Sequence, residues 1–209
     1  MNIIVHLMFS YNMRKIIRME SGTKLNLLGF MYGNILPDLS SSFNSQPHNI
    51  KASLNYIINR TDTLLKGACE NPFHHSYGYS RNLGVITHYL SDYFCYPHQD
   101  HYNKGLKDHS IYELIMLLKY RKGVKDYREN FSRSYHHLAP EEFKKWILDK
   151  HLDYYRQNVS CINDISHAIY AGSMIGRSMV LSCSQQQDEA DLIKRLQIAG
   201  ANSLSAPNA

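Results

Sequence analysis

Gly84-Val85-Ile86-Thr87-His88-Tyr89-Leu90-Ser91-Asp92 is the stretch on which the fold turns. From Arg81 to Tyr96 the chain is apolar nearly all round, the pattern of a helix buried at the centre of a protein rather than on its surface. His88 and Asp92 interrupt it. Four residues apart on a helix, their side chains share one face and converge on one point. Two ionisable groups on a buried face are costly unless something compensates them. The compensation is either their own hydrogen bond or a metal ion between them.

Around this segment almost everything has helical period. Ile3 to Met19 carries apolar residues on a helical repeat and ends before Ser21-Gly22. Lys24 to Leu36 follows, stopped by Pro37-Asp38. Pro47 stands at the favoured first helical position of a stretch running to about Leu65, ahead of Gly67. A loop rich in Asn, Pro, His and Tyr occupies about 68–79. Further helices are expected from about His109 towards Lys125, from Pro140 to about Gln157, and from Asn163 to about Leu181. The expected fold is all-α: a single multi-helix bundle forming one domain over 1–182. A polar tail, 183–209, follows it, with a short amphipathic helix at Asp188 to Ala199 and a frayed end from Asn202.

The composition agrees. The chain has 209 residues, 44% apolar and 20% charged, which suits one compact globular domain and excludes low-complexity or collagen-like architecture. No uncharged apolar run approaches the roughly 18–20 residues of a bilayer crossing. The N-terminus, Met1 to Phe9, lacks a basic segment and a small-residue cleavage site, so it is expected to be part of the fold. Cys69, Cys95, Cys161 and Cys183 show no CxxC spacing and are read as reduced, buried thiols of a cytoplasmic protein. The net charge of +5 is compatible with an anionic substrate, a membrane surface or nucleic acid, and selects none of them. Twelve histidines and sixteen tyrosines are the compositional oddity, and histidine is the commonest metal ligand.

The histidines are also ordered. Six residues beyond Asp92 comes His98, and then His109-x-x-x-Glu113, a second pair at helical spacing. Two histidines and a carboxylate are a normal zinc ligand set that leaves a fourth position for water. Upstream, Gly33-x-x-x-Pro37-Asp38 ends an apolar helix with a carboxylate, His48 follows Pro47, and His6 lies on the apolar face of the first helix. Alone, Asp38 is a helix stop and His6 a core histidine.

The order of the whole set, His6, Gly33-x-x-x-Pro37-Asp38, His48, His88-x-x-x-Asp92, His98 and His109-x-x-x-Glu113, resembles the zinc-dependent phospholipase C family. Its broader superfamily also holds single-strand-specific zinc nucleases. The resemblance covers about residues 1–125. It implies an all-α fold and two or three Zn2+ ions per chain. Asp38, His48, His88 and Asp92 would hold one ion, and His98, His109 and Glu113 a second. A third would take His6 and share Asp92. The family completes that ion with the amine and carbonyl of an N-terminal tryptophan. The tryptophan of this chain is Trp146, so Met1 or water would have to serve.

With three carboxylates such a site carries about +3 with three ions, or about +1 with two, and attracts a phosphodiester. The resemblance also makes Asp38 the catalytic residue that positions or deprotonates the attacking water. The substrate would be a phospholipid or small phosphodiester, with transient contact to a membrane surface. The alternatives are a single-strand-specific nuclease, with nucleic acid the less favoured partner, and a zinc- or lipid-binding protein without turnover. Of the other histidines, His74-His75 could cover the site and His101 could replace His98. His136, His137 and His151 read as surface and His167 as core. Tyr77, Tyr79, Tyr89, Tyr93, Tyr96 and Tyr102 read as packing around the site, and Lys119 to Arg128 as a solvated basic face.

Overall fold

The structure, a computed structural model, describes residues 1–43, 46–70, 76–134 and 136–204. Among them are seven α-helices and no strand: α1 (Ile3–Ser21), α2 (Leu27–Leu39), α3 (Ile50–Glu70), α4 (Tyr77–Tyr93), α5 (Leu106–Asn130), α6 (Phe143–Tyr155) and α7 (Cys161–Leu204). The all-α bundle expected from the periodicity is the fold observed. Helix α4 is its axis. Every residue from Leu83 to Tyr93 is buried, and the helix packs on α1, α2, α3 and α7. The core around it is built from Val5, Phe9, Met13 and Ile17 of α1 and from Ile165, Ile169 and Met179 of α7, all fully buried. Each such side chain contributes about 1.5–3 kcal/mol of transfer free energy.

The closest crossing joins α2 to α4. A Cβ on Gly33 would collide with the carbonyl oxygen of Arg81 and lie 2.9 Å from the Cα of Gly84. A Cβ on Gly84 would in turn strike the carbonyl oxygen of Phe30. Glycine at both positions lets two backbones touch, which side chains elsewhere hold at about 8–10 Å between axes. That contact brings the end of α2, with Asp38, against the His88 turn of α4.

Several helix limits differ from expectation, each for a local reason. Pro37 does not stop α2. It gives up one donor, its own bond to the Gly33 carbonyl, and the helix runs past it to close at Ser40, whose N–H donates to Leu36 O at 3.0 Å. The start of α2 is fixed at Leu27 by Asn26, whose Oδ1 accepts the Gly29 N–H at 2.9 Å. Pro47 does not open α3; Asn49 caps it instead, accepting Ala52 N–H at 2.9 Å. Gly67 does not end α3, which continues to Glu70. Ser76 caps α4, which starts at Tyr77, four residues before Arg81, so part of the expected loop is helix. Helix α5 is longer than expected at both ends, and α7 continues through Ser182 to Leu204 without the break expected near Leu181. A polar composition does not by itself end a helix in which Gln, Asp, Glu, Lys and Ala are all good or tolerated formers.

Candidate metal centre

Six chain segments meet beside the α2–α4 crossing. Helix α1 supplies His6, the end of α2 supplies Asp38, and the segment before α3 supplies His48. Helix α4 supplies His88 and Asp92, the 3-10 turn Tyr96–His98 supplies His98, and the first turns of α5 supply His109 and Glu113. Asp92 is the hub. Its Oδ2 lies 2.8 Å from His48 Nδ1 and 3.3 Å from His88 Nε2. Its Oδ1 lies 3.4 Å from His6 Nε2 and 3.6 Å from His98 Nε2. Asp38 faces it across the site, with Oδ1 at 3.7 Å from both His48 Nδ1 and His88 Nε2. His109 Nε2 meets Glu113 Oε1 at 2.7 Å.

Four groups of three ligand atoms result, each with its atoms within 4.8 Å of one another: His6, His88 and Asp92; Asp38, His48 and His88; His48, Asp92 and His98; and His98, His109 and Glu113. All eight side chains singled out in the sequence are therefore brought together.

The Met1 amine joins them. Its nitrogen is 3.0 Å from Asp92 Oδ1, 2.8 Å from His98 Nε2 and 3.6 Å from Glu113 Oε1. Burial works against a charged amine, yet Asp92, with Cys95, Glu113 and Asp38 behind it, holds its pKa up at about 10. A cationic group thus occupies the space between two carboxylates and a histidine.

The electrostatics suit a divalent cation. Asp92 is fully buried, which alone would keep it protonated. His98, the Met1 amine, His88 and His6 outweigh burial and hold it well below the usual carboxylate range. Burial, with the neighbouring histidines, holds His6 and His98 well below their ordinary value, so both present neutral nitrogen lone pairs. His6 is the most telling. Among the described residues neither ring nitrogen has a well-formed hydrogen bond, the nearest acceptor being Asp92 Oδ1 at 3.4 Å from Nε2, although the side chain is wholly buried, a cost of about 1–3 kcal/mol unless an ion takes the lone pair.

Polar groups behind the eight hold them in place. His88 Nδ1 donates to the carbonyl oxygen of Asn34 at 2.7 Å, leaving Nε2 free to face Asp38 and Asp92. Asn34 is in turn held by Thr87 at 3.2 Å. Buried Gln99 pins the turn that carries His98, donating to Tyr93 O at 2.8 Å and Cys95 O at 3.0 Å, and its Oε1 accepts from His151 at 2.8 Å. His151 is therefore half-buried and engaged rather than a surface residue.

Asp164, at the start of α7, accepts Tyr96 N–H at 2.9 Å and the hydroxyls of Tyr112 and Tyr154 at 2.8 Å each. Burial pushes its pKa up to about 6 against these three bonds. The folded value exceeds the unfolded one. The associated stability is therefore complete below about pH 4 and is lost as pH rises through about 6, by up to about 3 kcal/mol. In paired urea denaturations, wild type is expected to lose about 2 kcal/mol of this relative to Asp164→Asn between about pH 4.5 and about pH 7. A difference that stays constant across that range contradicts the assignment.

A sequence profile described as zinc dependent phospholipase C matches residues 5–161, three-quarters of the chain and all eight of these positions. The chain belongs to the zinc-dependent phospholipase C family. No curated protein and no solved structure matches it. In this member of the family the remaining sequence signals sort plainly. His101 packs on Tyr96 and Tyr155 and belongs to none of the ligand groups. His167 is a core histidine, 5% exposed and bonded to Asn163 O at 2.9 Å. His136 and His137 are exposed, and His74 and His75 lie outside the described residues.

Tyr89 packs edge-on against His88 and tilted against His48, and Tyr93 bonds Ser53 at 2.9 Å, so both wall the centre. Tyr77, by contrast, is exposed. Cys95, Cys161 and Cys183 are buried thiols, and the side chain of Cys69 lies outside the described ones. Among the described residues no helix is long and apolar enough to cross a membrane.

Proposed function

We propose that the chain is a zinc-dependent phosphodiester hydrolase of phospholipase C type, acting on a phospholipid or a related small phosphodiester. The observation that supports it is the convergence on Asp92: one buried, ionised carboxylate within 3.6 Å of four histidines, with Asp38 and Glu113 on either side. Asp38, His48, His88 and Asp92 would hold one ion and His98, His109 and Glu113 a second. His6 and Asp92 would hold a third, with the Met1 amine as its remaining nitrogen. Bound zinc supplies Lewis acidity toward the phosphoryl oxygens and lowers the pKa of water towards 7.

The residues do the rest. Three carboxylates leave a loaded centre net positive, so it recruits a phosphodiester and favours the extra negative charge of in-line attack. His88 is locked in one tautomer by Asn34, so its Nε2 cannot turn away during turnover. Asp38 is the general base. It is the most exposed of the three carboxyls, at 19%, and burial, with the Asp92 charge nearby, raises its affinity for a proton, which makes it a better acceptor than an ordinary aspartate.

The test is hydrolysis of phosphatidylcholine micelles and of a soluble nitrophenyl phosphodiester. Turnover is expected, abolished by chelator and restored by zinc, with diacylglycerol released from the lipid. A zinc-replete protein that cleaves neither substrate is a zinc-binding protein without this activity.

A further inference from the structure

Helix α5 has two faces of opposite character. His109 and Glu113, with buried Met116 and Tyr120, point inward to the metal centre and the core. Ile111, Leu114, Ile115 and Leu118 fall at i, i+3, i+4 and i+7, a single outward stripe. They are 45%, 58%, 37% and 80% exposed. Isolated exposed apolar residues need no explanation, but four large aliphatics in one row make a patch. The row has charged ends: Lys107 stands four residues before Ile111, and Lys122 four after Leu118, both exposed. From Lys119 to Arg128 five basic residues stand against Asp126 alone.

We propose that this face of α5 docks the protein on an anionic lipid bilayer, aliphatic stripe in the acyl boundary and lysines among the headgroups. The chemistry selects the partner. An apolar stripe flanked by lysines is the pattern of a helix lying in a membrane interface, and each basic residue near an anionic surface adds about 1 kcal/mol. A second copy of the chain, paired about a two-fold axis, would set lysines against lysines. A bilayer is fluid and closes around a row of exposed aliphatics on a helix face without needing a matching shape. The metal centre opens beside the same helix, where His109 is 26% and Glu113 13% exposed. Docking would hold that opening within about one helix diameter, roughly 10 Å, of the lipid. This deepens the proposed function by making bilayer phospholipid the substrate class, and the docking step is measured without turnover.

Zinc-loaded full-length protein is sedimented with large unilamellar vesicles of phosphatidylcholine alone or with about 30% phosphatidylserine. Wild type is expected to partition onto the serine-containing vesicles and to be released as salt rises from about 0.1 to about 0.5 M. Leu114→Ser/Leu118→Ser is expected to lose at least about ten-fold in partitioning. Its zinc content and its rate on the soluble nitrophenyl phosphodiester should be unchanged. A wild type that stays in the supernatant overturns the proposal, as does a double variant that partitions like wild type. A wild-type dimer in analytical ultracentrifugation that the double variant splits also overturns it, and assigns the stripe to a second copy. If the partitioning behaves as stated but no phosphodiester is cleaved, the docking surface stands and the hydrolase reading fails.

Discussion

Asp92→Asn is expected to remove at least one zinc ion per chain and to lower phosphodiester hydrolysis by more than 100-fold. The substitution keeps the shape of the side chain and takes away its charge at the one carboxylate that both the His6 side and the His48–His88 side of the centre share. Loss of an outer-shell partner alone typically costs about 10–100-fold in metal affinity or activity, so a carboxylate within direct reach of four histidines must cost more. If His88 and Asp92 were a buried hydrogen-bonded pair and nothing else, the amide would retain most of the bonding. Stability would then fall by about 1–3 kcal/mol and metal content would not change.

Zinc binding is coupled to folding, so the variant should also melt earlier, with excess zinc recovering part of the loss. In chelated protein the same change leaves the buried Met1 ammonium without its nearest counter-charge at 3.0 Å, and the apo form is expected to lose stability as well.

Gly33→Ala should be among the most damaging single-methyl changes in the molecule. An alanine in a helix interior ordinarily gains up to about 1 kcal/mol over glycine. Here the methyl would meet the Arg81 carbonyl oxygen and lie 2.9 Å from the carbonyl carbon of Arg81 and from the Cα of Gly84, all backbone atoms of α4. No rotamer change can relieve that contact, so α2 and α4 must separate. Separation withdraws the Asn34 carbonyl from His88 and Asp38 from the centre. Overpacking commonly costs about 1–3 kcal/mol, and a clash of backbone on backbone should reach or exceed the top of that range.

Gly67→Ala is the matched control. A Cβ there has nothing within 4 Å among the described residues, and the change should be neutral or stabilise by up to about 1 kcal/mol. Urea denaturation of the two variants side by side checks both signs, and a Gly33→Ala protein as stable as wild type would contradict the packing described.

The convergence of these side chains was legible in the sequence because helices impose spacing on residues that share a face. His88-x-x-x-Asp92 and His109-x-x-x-Glu113 each announce a shared face, and the buried character of α4 makes the first pair costly without a partner. The groups that support the eight left no such trace. Asn34 acts through its backbone carbonyl, which any residue would provide. Gln99 and His151 are single polar residues that meet from 52 positions apart, and Asp164 reaches the backbone of Tyr96 from 68 positions away.

Gly33 was visible as part of a helix-ending motif and Gly84 as one residue of a buried helix, neither as a contact. Glycine favours turns, and nothing local distinguishes a glycine that ends a helix from one that lets two helices touch. Pro37 misled because a proline removes one N–H and need not end a helix that the bonds of its neighbours carry past it. The Met1 amine was expected only as an alternative to water, and the bundle places it between Asp92 and Glu113 because α1 begins beside the centre.

Elemental analysis of chelator-free protein, run on wild type and Asp92→Asn together, asks directly whether the eight converging side chains are a zinc centre. Wild type should carry two or three zinc ions per chain and Asp92→Asn at least one fewer. Less than one zinc per wild-type chain, or an Asp92→Asn protein with an undiminished complement, would leave His6, Asp38, His48, His88, Asp92, His98, His109 and Glu113 as a buried polar cluster and not a metal site.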